Sequence, residues 1–79
     1  MIDLVLELNN KDKVIYKYVP VGFSEDDFGR VQLDKRNGEI TVLQEDKNKL
    51  QASLRHAVLA IHSFYEDGKY PEKKEIAWY

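Results

Sequence analysis

The chain contains no cysteine. This absence excludes a disulfide framework, a thiolate nucleophile and a zinc site built on sulfur, so stability must come from packing or from oligomerisation. The first residues lack the basic segment and the continuous apolar run of a signal peptide, and no apolar run approaches membrane-spanning length. We therefore expect a cytoplasmic protein that does not engage a membrane.

Neither sign of charge dominates, because 12 basic and 14 acidic residues give a net charge of −2. Nucleic-acid binders usually carry a basic patch and a high isoelectric point, so the composition disfavours that class of partner. Hydrophobic residues are 43% and charged residues 33% of the chain, as in ordinary globular proteins. A length of 79 residues allows one domain, 1–79, with one modest core.

Motifs for catalysis and ligand binding are also missing. The sequence has neither a nucleotide-binding glycine loop nor a serine-centred elbow. His56 and His62 are six residues apart on one predicted helix and point about 120° away from each other, so they cannot chelate one ion together. The acidic stretches at 25–27 and 34–39 do not match a calcium loop and are assigned to turns and caps. No cofactor, metal or small-molecule ligand is predicted.

One strong pattern is present, an amphipathic helix at residues 47–67. Apolar side chains recur there at steps of three and four residues, which places them on one stripe that must be buried. Asp46 is the predicted N-cap and Gly68 the predicted end. The stripe consists of Leu50, Leu54, Ala57, Val58, Ile61, Phe64 and Tyr65.

The rest of the chain alternates apolar and polar residues, which is the period of strands with one buried face. Ile76 and Trp78 are expected to face inward on the last strand, and Ser24 is expected to cap a short helical turn at 25–28. The order ββββαβ predicts an α+β fold, an antiparallel sheet of about five strands with one long amphipathic helix packed on one face. The strands are predicted at 2–8, 13–19, 30–35, 39–44 and 74–79.

Two turns set the predicted strand register. A three-residue loop between the first two strands keeps Leu8 and Val14 on the same face of the sheet. A two-residue Asn37-Gly38 turn pairs Leu33 with Val42, which keeps the apolar residues of both strands on one side.

Two surfaces carry apolar residues that the predicted core does not use. On the outer side of the helix, small or apolar residues stand where charges are expected, and Leu59 is the largest of them. The face of the sheet away from the helix mixes apolar and charged residues. Scattered exposed apolar residues are normal, whereas a contiguous group indicates a partner. The candidate interface residues are Ala52, His56, Leu59, Ala60 and Ser63 on the helix, with Val5, Ile15, Val19 and Leu43 on the sheet.

Two other functions compete with structural roles. His62 lies four residues before Glu66, which could orient its ring for general-base chemistry. Tyr16 and Tyr18 with Lys13 and Lys17 could stack single-stranded nucleic acid, but the register places these tyrosines under the helix and the lysines on the opposite face. We therefore predict core tyrosines and a structural or solvent-facing histidine.

The last third of the chain resembles the ending of the HicB-type antitoxin fold. The resemblance consists of a helix containing Ala57–Ile61 followed by the acid, glycine and proline of Asp67–Pro71. That family has a Pro-Asp-Leu-Pro-Gly type segment after its early strands, and Val19–Gly22 does not match it. The resemblance is at the level of the fold, and no functional residue is carried over.

The sequence predicts a small non-catalytic cytoplasmic protein that acts through protein–protein contacts, either with a different partner or with itself as a homodimer. The alternative is a phage- or antitoxin-like inhibitor of a toxin or nuclease, for which small size, net acidity and lack of cysteine are permissive. A small enzyme using His62 and Glu66 is the third hypothesis.

Overall fold

The computed structural model describes residues 1–22, 26–49 and 51–78, and within them it shows an α+β fold. The five strands form one antiparallel sheet in the order β4-β3-β2-β1-β5, and the helix packs on one face of it. The predicted fold class is therefore confirmed. The elements are β1 Ile2–Asn9, β2 Lys13–Pro20, β3 Gly29–Asp34, β4 Ile40–Gln44, α1 Gln51–Asp67 and β5 Lys73–Ile76.

The core lies between the helix and the three central strands. Every second residue of β2 and β3 is buried, as the alternating pattern predicts. Ala57 and Ile61 are the fully buried residues that α1 contributes, and Ser53 is also buried although its polarity gave no sign of it. Leu50 lies outside the described residues. The sheet contributes Ile2, Leu4, Val14, Tyr16, Tyr18, Val31 and Leu33, all without solvent exposure.

The first hairpin departs from the predicted register at its tip. Residues 10–12 connect the strands as expected, and Leu6 pairs with Tyr16. A β-bulge then follows, so that Leu8 pairs with Ile15 instead of Val14. Since a one-residue slip reverses the facing of a side chain, Leu8 lies on the outer face and not in the core, and it is 38% exposed.

The second hairpin has a longer loop than predicted. Leu33 pairs with Ile40, and Val31 pairs with Val42, so the two-residue Asn37-Gly38 turn was wrong. The Asp34 carbonyl accepts the Gly38 N–H at 2.8 Å, and Gly38 adopts a φ of 77°. The register shifts by two residues, which preserves the predicted facing, but Val42 is 40% exposed and not part of the core.

The helix begins at Gln51, four residues later than the pattern indicated, so Asp46 is not its N-cap. A turn at Lys47 and Asn48 separates Asp46 from the start of the helix. At the other end, Gly68 closes the helix as predicted, with a φ of 72° and its N–H bonded to the Phe64 carbonyl at 2.8 Å.

Two further predictions involve residues at the margins of the described segments. Residues 23–25, which include the predicted cap Ser24 and the first residue of the predicted turn at 25–28, lie outside the described residues, and residues 27 and 28 are not helical. The last strand ends at Ile76, three residues before the predicted end, and Tyr79 is not described. Ile76 and Trp78 are half-buried against the core.

Candidate protein-interaction surface

The candidate strip on the helix is partly occupied by the chain itself. The Trp78 ring stacks on the His56 ring, with centroids 4.2 Å apart and planes 9° from parallel. Ala60 is half-buried against the core, while Ala52 and Ser63 are exposed. Leu59, which is 59% exposed, is the one large apolar side chain of the strip left in water.

On the outer face of the sheet, away from α1, three of the candidate residues surround a lysine. Val5 pairs across the strands with Lys17, and Ile15 and Val19 precede and follow Lys17 by two residues on the same face. Such diagonal neighbours lie within reach of one another. The bulge adds Leu8 opposite Ile15. The structure therefore brings these apolar residues together.

Phe28 extends this outer face toward β4. The Lys17 Nζ lies 4.7 Å and the Arg30 Cζ 4.8 Å from the centre of its ring, both within the range of cation–π contact. Arg30 also bonds the Glu7 carboxylate and the Gln44 side-chain oxygen, each at 2.8 Å. Nothing in the sequence placed Phe28 on the sheet, because the residue precedes β3 in an irregular connection.

Leu43 is separate from the other sheet candidates, because β3 lies between its strand and β2. It belongs instead to an exposed edge. Four of the five residues of β4 are exposed, and Val42 on the helix side and Leu43 are 40% and 47% exposed. The alternation predicts that Val42 lies in the core, and its exposure follows from its place on the edge strand β4, beyond the reach of α1.

A buried polar cluster fixes the connection between β4 and α1. The Tyr18 hydroxyl donates to Asp46 Oδ1 at 2.9 Å and accepts the Asp46 N–H at 3.2 Å. Asp27 accepts the Lys47 N–H at 2.5 Å and a bond from the Asn48 side chain. Burial is the main cause that raises the pKa of Tyr18 to about 12. These bonds join the Tyr18 hydroxyl, Asp46 and Asp27 to groups of the same chain and give the cluster a structural role.

The remaining polar candidates lie in solvent. His62 Nδ1 and Glu66 Oε1 are 2.9 Å apart, as their spacing predicts, but both side chains are more than half exposed. Among the described residues, no three His, Asp or Glu side chains come together as a metal site. No described helix is long and apolar enough to cross a membrane.

Searches against protein-family models, curated proteins and solved structures found no match to this chain.

Proposed function

We propose that this chain is a non-catalytic cytoplasmic protein that functions by binding another protein chain along β4 and the adjoining outer face of the sheet. The observation that carries the proposal is the contrast between the two edge strands. β4 has the sequence Ile-Thr-Val-Leu-Gln, without a charge or a proline, whereas β5 has Lys-Lys-Glu-Ile. Charged residues, lysine above all, are the usual protection of an edge strand against pairing with other chains.

The edge of β4 offers both kinds of contact that strand addition uses. Its free backbone groups can continue the ladder, and its side chains can enter pockets on alternate faces. Val42 and Leu43 supply exposed apolar area beside these backbone groups. The bulge between β3 and β4 lies at the Gln44 end, so Ile40 to Val42 remain in regular pairing with β3. This edge is therefore a regular template of adequate length for a short strand.

The outer face of the sheet adds both apolar and polar side chains to the same surface. Val5, Ile15 and Val19 provide apolar contact area, and the ion pair between Arg30 and Glu7 provides polar groups near β4. Interfaces typically combine an apolar centre with a polar rim. The helix strip supports the proposal less, because Trp78 covers His56 and leaves Leu59 as an isolated exposed residue, which is common on protein surfaces.

Capture from the native cells tests this function. The tagged full chain, its Val42→Lys variant and its Leu59→Lys variant are compared, with captured proteins identified and the leading one purified for a direct binding measurement. We expect Val42→Lys to abolish binding and Leu59→Lys to retain it. Both substitutions add one positive charge at an exposed apolar residue, so the two variants differ only in the position of that charge. Binding that Val42→Lys leaves intact, or the absence of specific capture of either another protein or a second copy of this chain, would count against the proposal.

A further inference from the structure

We infer that the occupant of the β4 edge is the β4 strand of a second copy, so that two chains form one continuous antiparallel sheet about a two-fold axis at Thr41. This inference rests on the proposed function and names the partner.

The backbone groups of Ile40 and Val42 are directed toward the open edge. The Asp34 N–H donates to the Glu39 carbonyl at 2.8 Å, so the backbone carbonyl of Glu39 faces β3, while the Glu39 N–H donates to the Asn37 side chain within the turn. Hydrogen-bonded and non-hydrogen-bonded pairs alternate in an antiparallel ladder. Thr41 is therefore bonded to Gln32 on β3, while the N–H and C=O groups of Ile40 and Val42 point away from β3.

The composition of β4 suits pairing with itself. An antiparallel pair of identical strands is self-complementary and closed, and β4 carries no charge that such pairing could place beside a like charge within the strand. β5 is less suited, because a pair centred on Lys74 would bring that lysine against its own copy. Pairing of β4 also covers Val42, which continues the apolar row of Val31 on the helix side of the sheet.

The register follows from the same two observations. With the axis at Thr41, Ile40 of each copy faces Val42 of the other, and both pairs are hydrogen-bonded, which uses every outward group of these residues. Both residues lie on the helix side, so the two cores are joined by an apolar contact. A register centred on Val42 would instead place Glu39 opposite Glu45 of the second copy, and like charges in that position oppose pairing.

Single cysteines test this register cleanly, because the chain has none of its own. In the inferred dimer the two Thr41 residues form a non-hydrogen-bonded pair with Cα atoms about 4.5 Å apart, which is within disulfide range. Two Leu43 residues would be about 14 Å apart, at four residues of 3.4 Å each. Thr41→Cys and Leu43→Cys are thus matched variants on one strand, both at exposed positions.

The experiment combines equilibrium oxidation in a glutathione buffer with sedimentation equilibrium of the unmodified chain. We expect the unmodified chain to reach twice its monomer mass with rising concentration, and Val42→Lys to remain monomeric. Ala77→Lys places the same charge beside the other edge of the sheet and should behave as the unmodified chain. Thr41→Cys should form a disulfide-linked dimer and Leu43→Cys should not. Circular dichroism confirms that each variant is folded.

Three results overturn the inference. These are a monomer at all concentrations, a dimer that Val42→Lys leaves intact, and equal oxidation of the two cysteine variants. None of them removes the proposed function, which is judged by capture of a different protein through the same edge. Conversely, a Val42-dependent dimer without any captured partner supports self-association alone.

Discussion

At the scale of single residues, the backbone of Gly29 fits closely against the ring of Tyr18. The two residues pair across β2 and β3, and a Cβ placed on Gly29 would lie 2.3 Å from a carbon of the Tyr18 ring. The ring cannot move aside easily, because its hydroxyl is bound by Asp46 on the connection to the helix. The missing side chain of Gly29 is thus the space that lets Tyr18 reach the buried polar cluster.

We predict that Gly29→Ala lowers the free energy of unfolding by about 1–3 kcal/mol, the usual cost of overpacking a core. Urea unfolding measures the loss. Tyr18→Leu, alone and combined with Gly29→Ala, completes a double-mutant cycle, since the smaller side chain relieves the overlap. Residues in contact typically show a coupling above about 0.5 kcal/mol. If the two losses simply add, the overlap with Tyr18 is not the cause.

At the scale of elements, the packing of α1 on the sheet depends on a small residue at its centre. Ala57 is fully buried, whereas Ala52, five residues earlier on the same helix, is exposed. We predict that Ala57→Leu destabilises the fold by about 1–3 kcal/mol, because the larger side chain separates the helix from β2 and β3. Ala52→Leu should change the stability by less than about 0.5 kcal/mol, as surface substitutions do.

Thermal and urea unfolding of these two variants checks the packing. Alanine and leucine are both strong helix formers, so the comparison removes the effect of intrinsic helix propensity. Equal stability of the two variants would mean that the helix lies farther from the sheet than the structure shows.

The elements and their facing could be predicted from the sequence, because strand alternation and helical periodicity are properties of neighbouring residues. One departure depends on a distant contact. Asp46 has the composition of a cap, yet Tyr18, 28 residues earlier, uses its carboxylate. The bulge at Leu8 and the five-residue connection between β3 and β4 leave the polar pattern unchanged and so give no local signal.

The candidate interaction residues also divide into those that the sequence could group and those whose position depends on the spatial order of the strands. Val5, Ile15 and Val19 are neighbours on the outer face because alternation places them there, and the sequence was sufficient to group them. Strand order in space was not readable, so neither the separation of Leu43 nor the edge position of Val42 could be foreseen. Composition alone held the relevant signal, because one strand has no charge and another, which the structure places at the opposite edge, consists largely of lysine and glutamate.

At the scale of the whole molecule, one apolar layer between the sheet and a single helix holds the chain together. Tyr16 lies at its centre, where its hydroxyl donates to the Pro71 carbonyl at 2.6 Å and its ring contacts Phe64. The residue thereby links β2 to the helix and to the segment before β5. Its ionisation would place a charge inside this layer, so the stability of the whole fold depends on its protonation.

The last prediction therefore concerns alkaline pH. Burial raises the pKa of Tyr16 from 10 to about 12, with a smaller contribution from Tyr70, and the pKa of Tyr18 is also about 12. In the unfolded chain these tyrosines lose their protons near pH 10, so between about pH 10 and 12 the folded state binds more protons and stability falls as the pH rises. Below this window both states are protonated and their contribution is constant.

Urea midpoints measured at constant ionic strength from about pH 8 to 11.5 should show this fall. Tyr16→Phe lowers the midpoint at pH 8, because the bond to Pro71 is lost, but it should flatten the fall above about pH 10 by removing one of the titrating groups. Tyr18→Phe should flatten it similarly. The slope of stability against pH counts the difference in bound protons, so a slope unchanged in both variants would show that neither buried hydroxyl controls the alkaline limit of the fold.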